Sequence, residues 1–145
     1  MLNETAKPPL TLWKPRFVGI ITFLLLPGGW FLGILNFRRL GLKRQVVGHL
    51  IFFLCLTLVL LAIAFSGGDM PSFLALILGV SLGFYMSDAN TKAINEYRAA
   101  GGVVQDADGV AGFFICLGAT VGWFLLLLLL ALPVVFFQVF ILGAD

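Results

Sequence analysis

Apolar residues in this chain gather into runs of membrane length, and the polar ones sit in short breaks between them. Residues 17–37 form the first run, long enough to span a bilayer, which takes about 20 apolar residues. Residues 46–65 form a second, ended by Ser66-Gly67-Gly68-Asp69, and residues 72–86 a shorter third. The last run, 112–142, has 31 residues. As one helix it would measure about 46 Å against about 30 Å of hydrocarbon, so it tilts strongly or breaks. Leu132-Pro133 is the natural break. The pattern predicts an all-α fold: one integral membrane helical bundle over residues 1–145. Three transmembrane helices are clear, over 46–66, 72–86 and 112–142. Residues 12–40 add an N-terminal re-entrant hairpin or a kinked fourth span.

The two readings of that first segment turn on Pro27-Gly28-Gly29, at the midpoint of its run. A kinked helix would cross here. A hairpin would join half-helices over 15–26 and 30–40 through a Pro-Gly-Gly turn. The basic residues bear on the choice: Lys7, Lys14, Arg16, Arg38, Arg39, Lys43, Arg44, Lys92 and Arg98. Four spans put the first three outside and the other six inside. A hairpin puts all nine on one face, the split that the positive-inside rule favours. Against it stands the need to shield non-helical backbone at membrane depth. Residues 1–11 read as a polar surface tail. Trp13, Lys14 and Arg16 are an interfacial signature, and Pro15 suits a first helical turn. Lys14 and Arg16 before an apolar stretch also resemble a signal peptide. No small-x-small cleavage site follows, so the segment is expected to be retained.

Downstream, Ser87 or Asp88 is expected to cap a helix over 88–100 stopped by Gly101-Gly102. It would be an amphipathic helix on the inner surface or an extension of the third span. Residues 103–109 read as a polar loop, with Asp108 as N-cap of the last helix. Asn36-Phe37-Arg38 before Gly41 loosely echoes Asn95-Glu96-Tyr97-Arg98 before Gly101, which reads as coincidence.

Composition agrees with a lipid-facing chain. Apolar residues make up 61% and charged ones 11%, where a soluble domain carries about 25% charged residues. A net charge of +2 gives no reason to expect nucleic acid. Cys55 and Cys116 lie inside apolar runs without metal-ligand spacing and read as packing residues.

Few positions carry candidate chemistry. Gly29/Gly33, Gly79/Gly83 and Gly118/Gly122 are Gly-xxx-Gly pairs, and Ala75 extends the second. Such pairs let helix backbones approach closely, either within the monomer or against another membrane protein or a second copy. Arg38, Arg39, Lys43 and Arg44 form an orientation signal expected to face the cytoplasm, or an anionic-lipid site. Asn36, His49, Thr57 and Gln138 are polar residues within apolar runs; an ionisable one such as His49 is a functional candidate by default. A haem or metal site needs more ligands than His49 alone. No Asp, Glu, Lys or Arg falls in the three clear spans, which counts against proton-coupled transport and paired-aspartate proteolysis. No nucleophile–base pair or phosphate loop is present. Asp106-Ala107-Asp108-Gly109 lacks the later acid that a calcium loop needs.

The stretch from Pro27-Gly28-Gly29 through Asn36-Phe37-Arg38-Arg39-Leu40-Gly41 resembles a motif of a family of small bacterial multi-pass membrane proteins. That motif is a Pro/Gly turn, a short apolar helix, then Asn-aromatic-basic-x-x-Gly. It covers about a tenth of the chain. The family's turn more often reads Gly-Pro-x-Ala-Gly, so the order here differs. The resemblance implies a bacterial inner-membrane protein and brings no activity with it. The expectation is a non-enzymatic protein without cofactor or metal. Its partners would be membrane lipids and another membrane protein or itself, in an accessory role. The alternative is a transport or channel component with a cavity at Pro27-Gly28-Gly29.

Overall fold

The computed structural model describes residues 9–66, 71–137 and 140. The fold is all-α. Helix α1 (Pro15–Leu24) and helix α2 (Leu26–Arg39) fold back on each other. Their antiparallel order shows in the contacts: Gly29 lies against Ile21 and Thr22, and Gly33 against Val18. Farther down, Asn36 bonds to Trp13. Neither helix alone matches the hydrocarbon thickness, at about 15 and 21 Å.

The turn between them is not where the Pro-Gly-Gly motif led us to expect it. It falls at Leu25 (φ −134°, ψ 71°), and Pro27-Gly28-Gly29 belongs to the first turn of α2. Proline costs nothing there because first-turn N–H groups have no helical partner. The two glycines are set by packing. A side chain on Gly28 would strike the Cys116 backbone, and one on Gly29 would strike Thr22.

Three longer helices surround the hairpin: α3 (Lys43–Phe65), α4 (Ser72–Ala99) and α5 (Gly109–Phe136). All three are long and apolar enough to cross a membrane. Helix α4 packs chiefly along α1, and α5 and α3 along α2. The most deeply buried side chains, among them Trp30, Phe37, Leu32, Met86 and Val18, gather around the hairpin. Much of α3 and α5 is clothed in exposed Leu, Val, Ile and Phe, the expected dress of a lipid-facing helix.

Residues 88–99 continue α4 without a break at Ser87 or Asp88, so the separate surface helix is replaced by an extension of the third span. Asp88 caps nothing there, and the polar residues simply mark where α4 reaches the charged end of the bundle. Pro133 likewise does not end α5, which runs on to Phe136. A proline removes one helical bond but leaves the flanking bonds intact, and Phe137 N–H still bonds to the Pro133 and Val134 carbonyls. Gln138 and residues 67–70 lie outside the described residues.

Two short segments read as tail and loop pair instead as parallel strands, β1 (Leu10–Leu12) and β2 (Val104–Asp106), with Leu10 opposite Val104. Leu12 is buried, so the Leu-Thr-Leu alternation drives this ribbon onto the bundle. Asp108 caps α5 as expected, accepting from Val110 N–H at 2.9 Å. The echo around the two glycines has a structural meaning. Gly41 (φ 76°) and Gly101 (φ 79°) both end a helix in the left-handed region. Each is followed by a bond back to the aromatic residue five positions earlier, from Leu42 to Phe37 and from Gly102 to Tyr97. This is one helix-ending motif used twice.

All charged side chains among the described residues lie at one end of the bundle. The starts of α1, α3 and α5, the ends of α2 and α4, and the ribbon meet there. Lys14 pairs with Asp106 at 3.0 Å across that end, and the Arg39 guanidinium covers the Trp13 ring at 4.3 Å.

Candidate functional site

Asn36 is the polar centre of the hairpin. It is fully buried, and its side chain does for Trp13 what a strand partner would do. The Oδ1 accepts from Trp13 N–H at 3.1 Å, and the Nδ2 donates to the Trp13 carbonyl at 2.9 Å. The same Nδ2 donates to Asn90 Oδ1 at 2.9 Å, and Asn90 donates to the Met86 carbonyl. Start of α1, end of α2 and middle of α4 are thereby tied by one satisfied network. Asn36 bridges helices as its position suggested. Asn90 was not singled out from the sequence, where it sits in a polar stretch, and Trp13 was read only as an interfacial residue. Thr57, by contrast, bridges nothing, because its hydroxyl donates to Phe53 in its own helix at 2.8 Å.

His49 is buried on α3 amid the rings of Phe37, Trp30 and Tyr85. Its Nδ1 lies 2.7 Å from the Gln45 carbonyl, which can only accept, so Nδ1 carries the proton. The Nε2 is buried and has no hydrogen-bond partner among the described residues. The backbone carbonyl of His49 accepts from the Trp30 indole at 3.2 Å, which fastens α3 to α2. Among the described residues no group of three or more His, Cys, Asp or Glu side chains comes together.

The three glycine pairs have different fates. Gly29 and Gly33 are closed by α1 and by Met86. Gly83 and Gly19 form a backbone crossing of α4 and α1, where a Cβ on Gly83 would stand 2.8 Å from the Gly19 carbonyl. Gly79 faces Phe23, and Ala75 is exposed. Gly118 and Gly122 on α5 meet nothing within 4 Å. Gly118 borders an apolar groove of about 420 Å³ between α3 and α5, with Pro27, Trp30 and Phe31 of α2 beneath it and Trp123 at one side.

Arg39 is bound into the fold, donating to the Thr11 carbonyl at 2.7 Å while stacking on Trp13. Arg38, Lys43 and Arg44 are exposed. A different set of cations lines a cavity. Lys14, Arg16 and Arg98 border about 460 Å³ between the ribbon, α1 and α4.

No family model, curated protein or solved structure matches this chain.

Proposed function

We propose that this is a multi-pass membrane protein that acts by contact, receiving a transmembrane helix of another membrane protein in the groove beside Gly118 and Gly122. The observation that carries the reading is the unequal use of the glycine pairs. Two are consumed inside the monomer, and Gly118 of the third borders a groove that the described residues leave unfilled. Close backbone approach is what such pairs supply in lipid. The fold sits in the bilayer with α3, α4 and α5 crossing and the α1–α2 hairpin entering and leaving from the charged side. That side is cytoplasmic by the positive-inside rule, in a bacterial inner membrane by the resemblance of residues 27–41. The protein is non-enzymatic, an accessory subunit or interaction partner.

Transport is the competing reading, with a cavity at Pro27-Gly28-Gly29. Contact is favoured over it because Gly28 and Gly29 are closed by Cys116 and Thr22, and only Pro27 borders open space. The lining of that space is almost wholly carbon, a poor path for a polar solute.

Affinity purification of the tagged chain in mild detergent, with mass spectrometry of what accompanies it, tests this. A stoichiometric membrane partner is expected, lost in Gly118→Leu/Gly122→Leu and retained in Gly48→Leu, whose position also meets nothing. Association that survives the leucines at 118 and 122 refutes the docking site. Self-association lost in the same variant would make the partner a second copy.

A further inference from the structure

The seam between α1 and α4 changes character along its length. Toward the bundle's middle it is an apolar trough of about 510 Å³. Ile20, Phe23, Val80 and Phe84 wall it, and Gly19 and Gly83 bring the two backbones together at its floor. Arg16 and Ser87 stand at its polar end. Arg16 also borders the cavity of about 460 Å³ beyond, so the two spaces share a wall. Along α4 the positions facing this seam run Val80, Phe84, Ser87, Thr91, Asn95 and Arg98, three or four apart. That spacing is one stripe of a helix, about 27 Å from end to end. It grades from carbon through hydroxyl and amide to guanidinium.

The polar cavity is electropositive. Lys14, Arg16 and Arg98 border it with a single carboxylate, Asp106, which is already paired to Lys14. Asp88 and Glu96 of α4 do not line it. Helix α1 starts here with no side chain capping it, so its N-terminal dipole adds to the positive potential.

From this gradient we infer that the α1–α4 seam is a binding site for one anionic glycerophospholipid. Its phosphate is held by Lys14, Arg16 and Arg98, and an acyl chain lies in the trough over Gly19 and Gly83. The site is separate from the groove beside Gly118 and from the basic loop, and it does not depend on the contact reading. Charge complementarity selects the headgroup, and the shared Arg16 wall fixes the headgroup's depth relative to the chain. A free anion would use the cavity alone and leave the trough without a role.

Native mass spectrometry of the full chain in detergent, titrated with palmitoyl-oleoyl phosphatidylglycerol, tests this. One phosphatidylglycerol is expected to stay bound, and phosphatidylcholine to bind at least about tenfold more weakly, since it lacks net charge. Arg16→Gln/Arg98→Gln should weaken phosphatidylglycerol by about thirtyfold, from two lost cation contacts. Lys43→Gln/Arg44→Gln removes the same charge elsewhere on that face and should change it by less than about threefold. Ile20→Trp, at an exposed position that leaves every cation in place, fills the trough and should also displace the lipid. Equal losses from the two double variants would mean general surface attraction and overturn the proposal. So would unchanged binding in Ile20→Trp, or displacement of the lipid by inorganic phosphate at matched concentration.

Discussion

Replacing Asn36 with alanine tests the account of the hairpin at its tightest point. The side chain makes three hydrogen bonds while fully buried: two to the Trp13 backbone and one to Asn90. Alanine leaves the Trp13 N–H, the Trp13 carbonyl and the Asn90 Oδ1 without partners in a dry interior. A buried hydrogen bond contributes about 1 kcal/mol net in water-soluble proteins, and about 0.6 kcal/mol on average between membrane helices. Three of them, with the cost of orphaned groups, amount to about 2–3 kcal/mol. Asn90→Ala removes the bond to Asn36 and one to a carbonyl of its own helix, so a loss of about 1 kcal/mol is expected. The double variant should fall short of the sum of the two by about the strength of the shared bond. Detergent-driven unfolding in mixed micelles, followed by tryptophan emission, measures all three variants, because Trp13 is buried and would be released. The reasoning is refuted if Asn36→Ala lies within about 0.5 kcal/mol of Asn95→Ala, an exposed asparagine of α4 that belongs to no such network.

Other consequences are equally direct. Gly28→Ala should destabilise the fold by well over 1 kcal/mol, since its methyl group meets the Cys116 backbone, whereas Gly48→Ala should be neutral or stabilising by about 0.5–1 kcal/mol; the same unfolding assay separates them. Trp30→Phe keeps much of the ring packing and loses the bond to the His49 carbonyl, so a cost of about 1 kcal/mol is expected in that assay. In detergent, a maleimide should modify exposed Cys55 readily and fully buried Cys116 only after unfolding, as mass spectrometry of timed samples would report. Arg39→Gln removes both the cap on Trp13 and the bond to Thr11, so proteolysis near Leu10 should quicken while the helices stay protected.

Much of the architecture was legible in the chain because lipid imposes a plain code. Length and hydropathy located the three helices long and apolar enough to cross a membrane, and the distribution of lysine and arginine favoured a hairpin before any contact was known. The position of its turn was not legible. Pro-Gly-Gly marks turns in water, but here the proline occupies a first helical turn and the glycines admit Cys116 and Thr22, neighbours that only the fold brings near. The ribbon was hidden for a related reason: three residues are too few for alternation to register, and their partner lies more than ninety positions away. Polar residues were only partly readable. Asn36 stood out in an apolar run, while Asn90 sat in a polar stretch that looked like ordinary surface. The glycine pairs were visible as a spacing, yet which of them the monomer uses is decided by packing alone. The cations of the α1–α4 seam come from segments more than eighty residues apart and have no local signature.

The central claim is that residues 15–39 enter and leave the bilayer from one side, beneath three crossing helices. Single cysteines at Pro9, Lys43 and Ser66, in a chain whose Cys55 and Cys116 are replaced by alanine, test it by labelling with a membrane-impermeant maleimide from each side. Pro9 and Lys43 are predicted to label from the same side and Ser66 from the other. Labelling of Pro9 and Lys43 from opposite sides would make residues 15–39 a crossing segment and contradict the account.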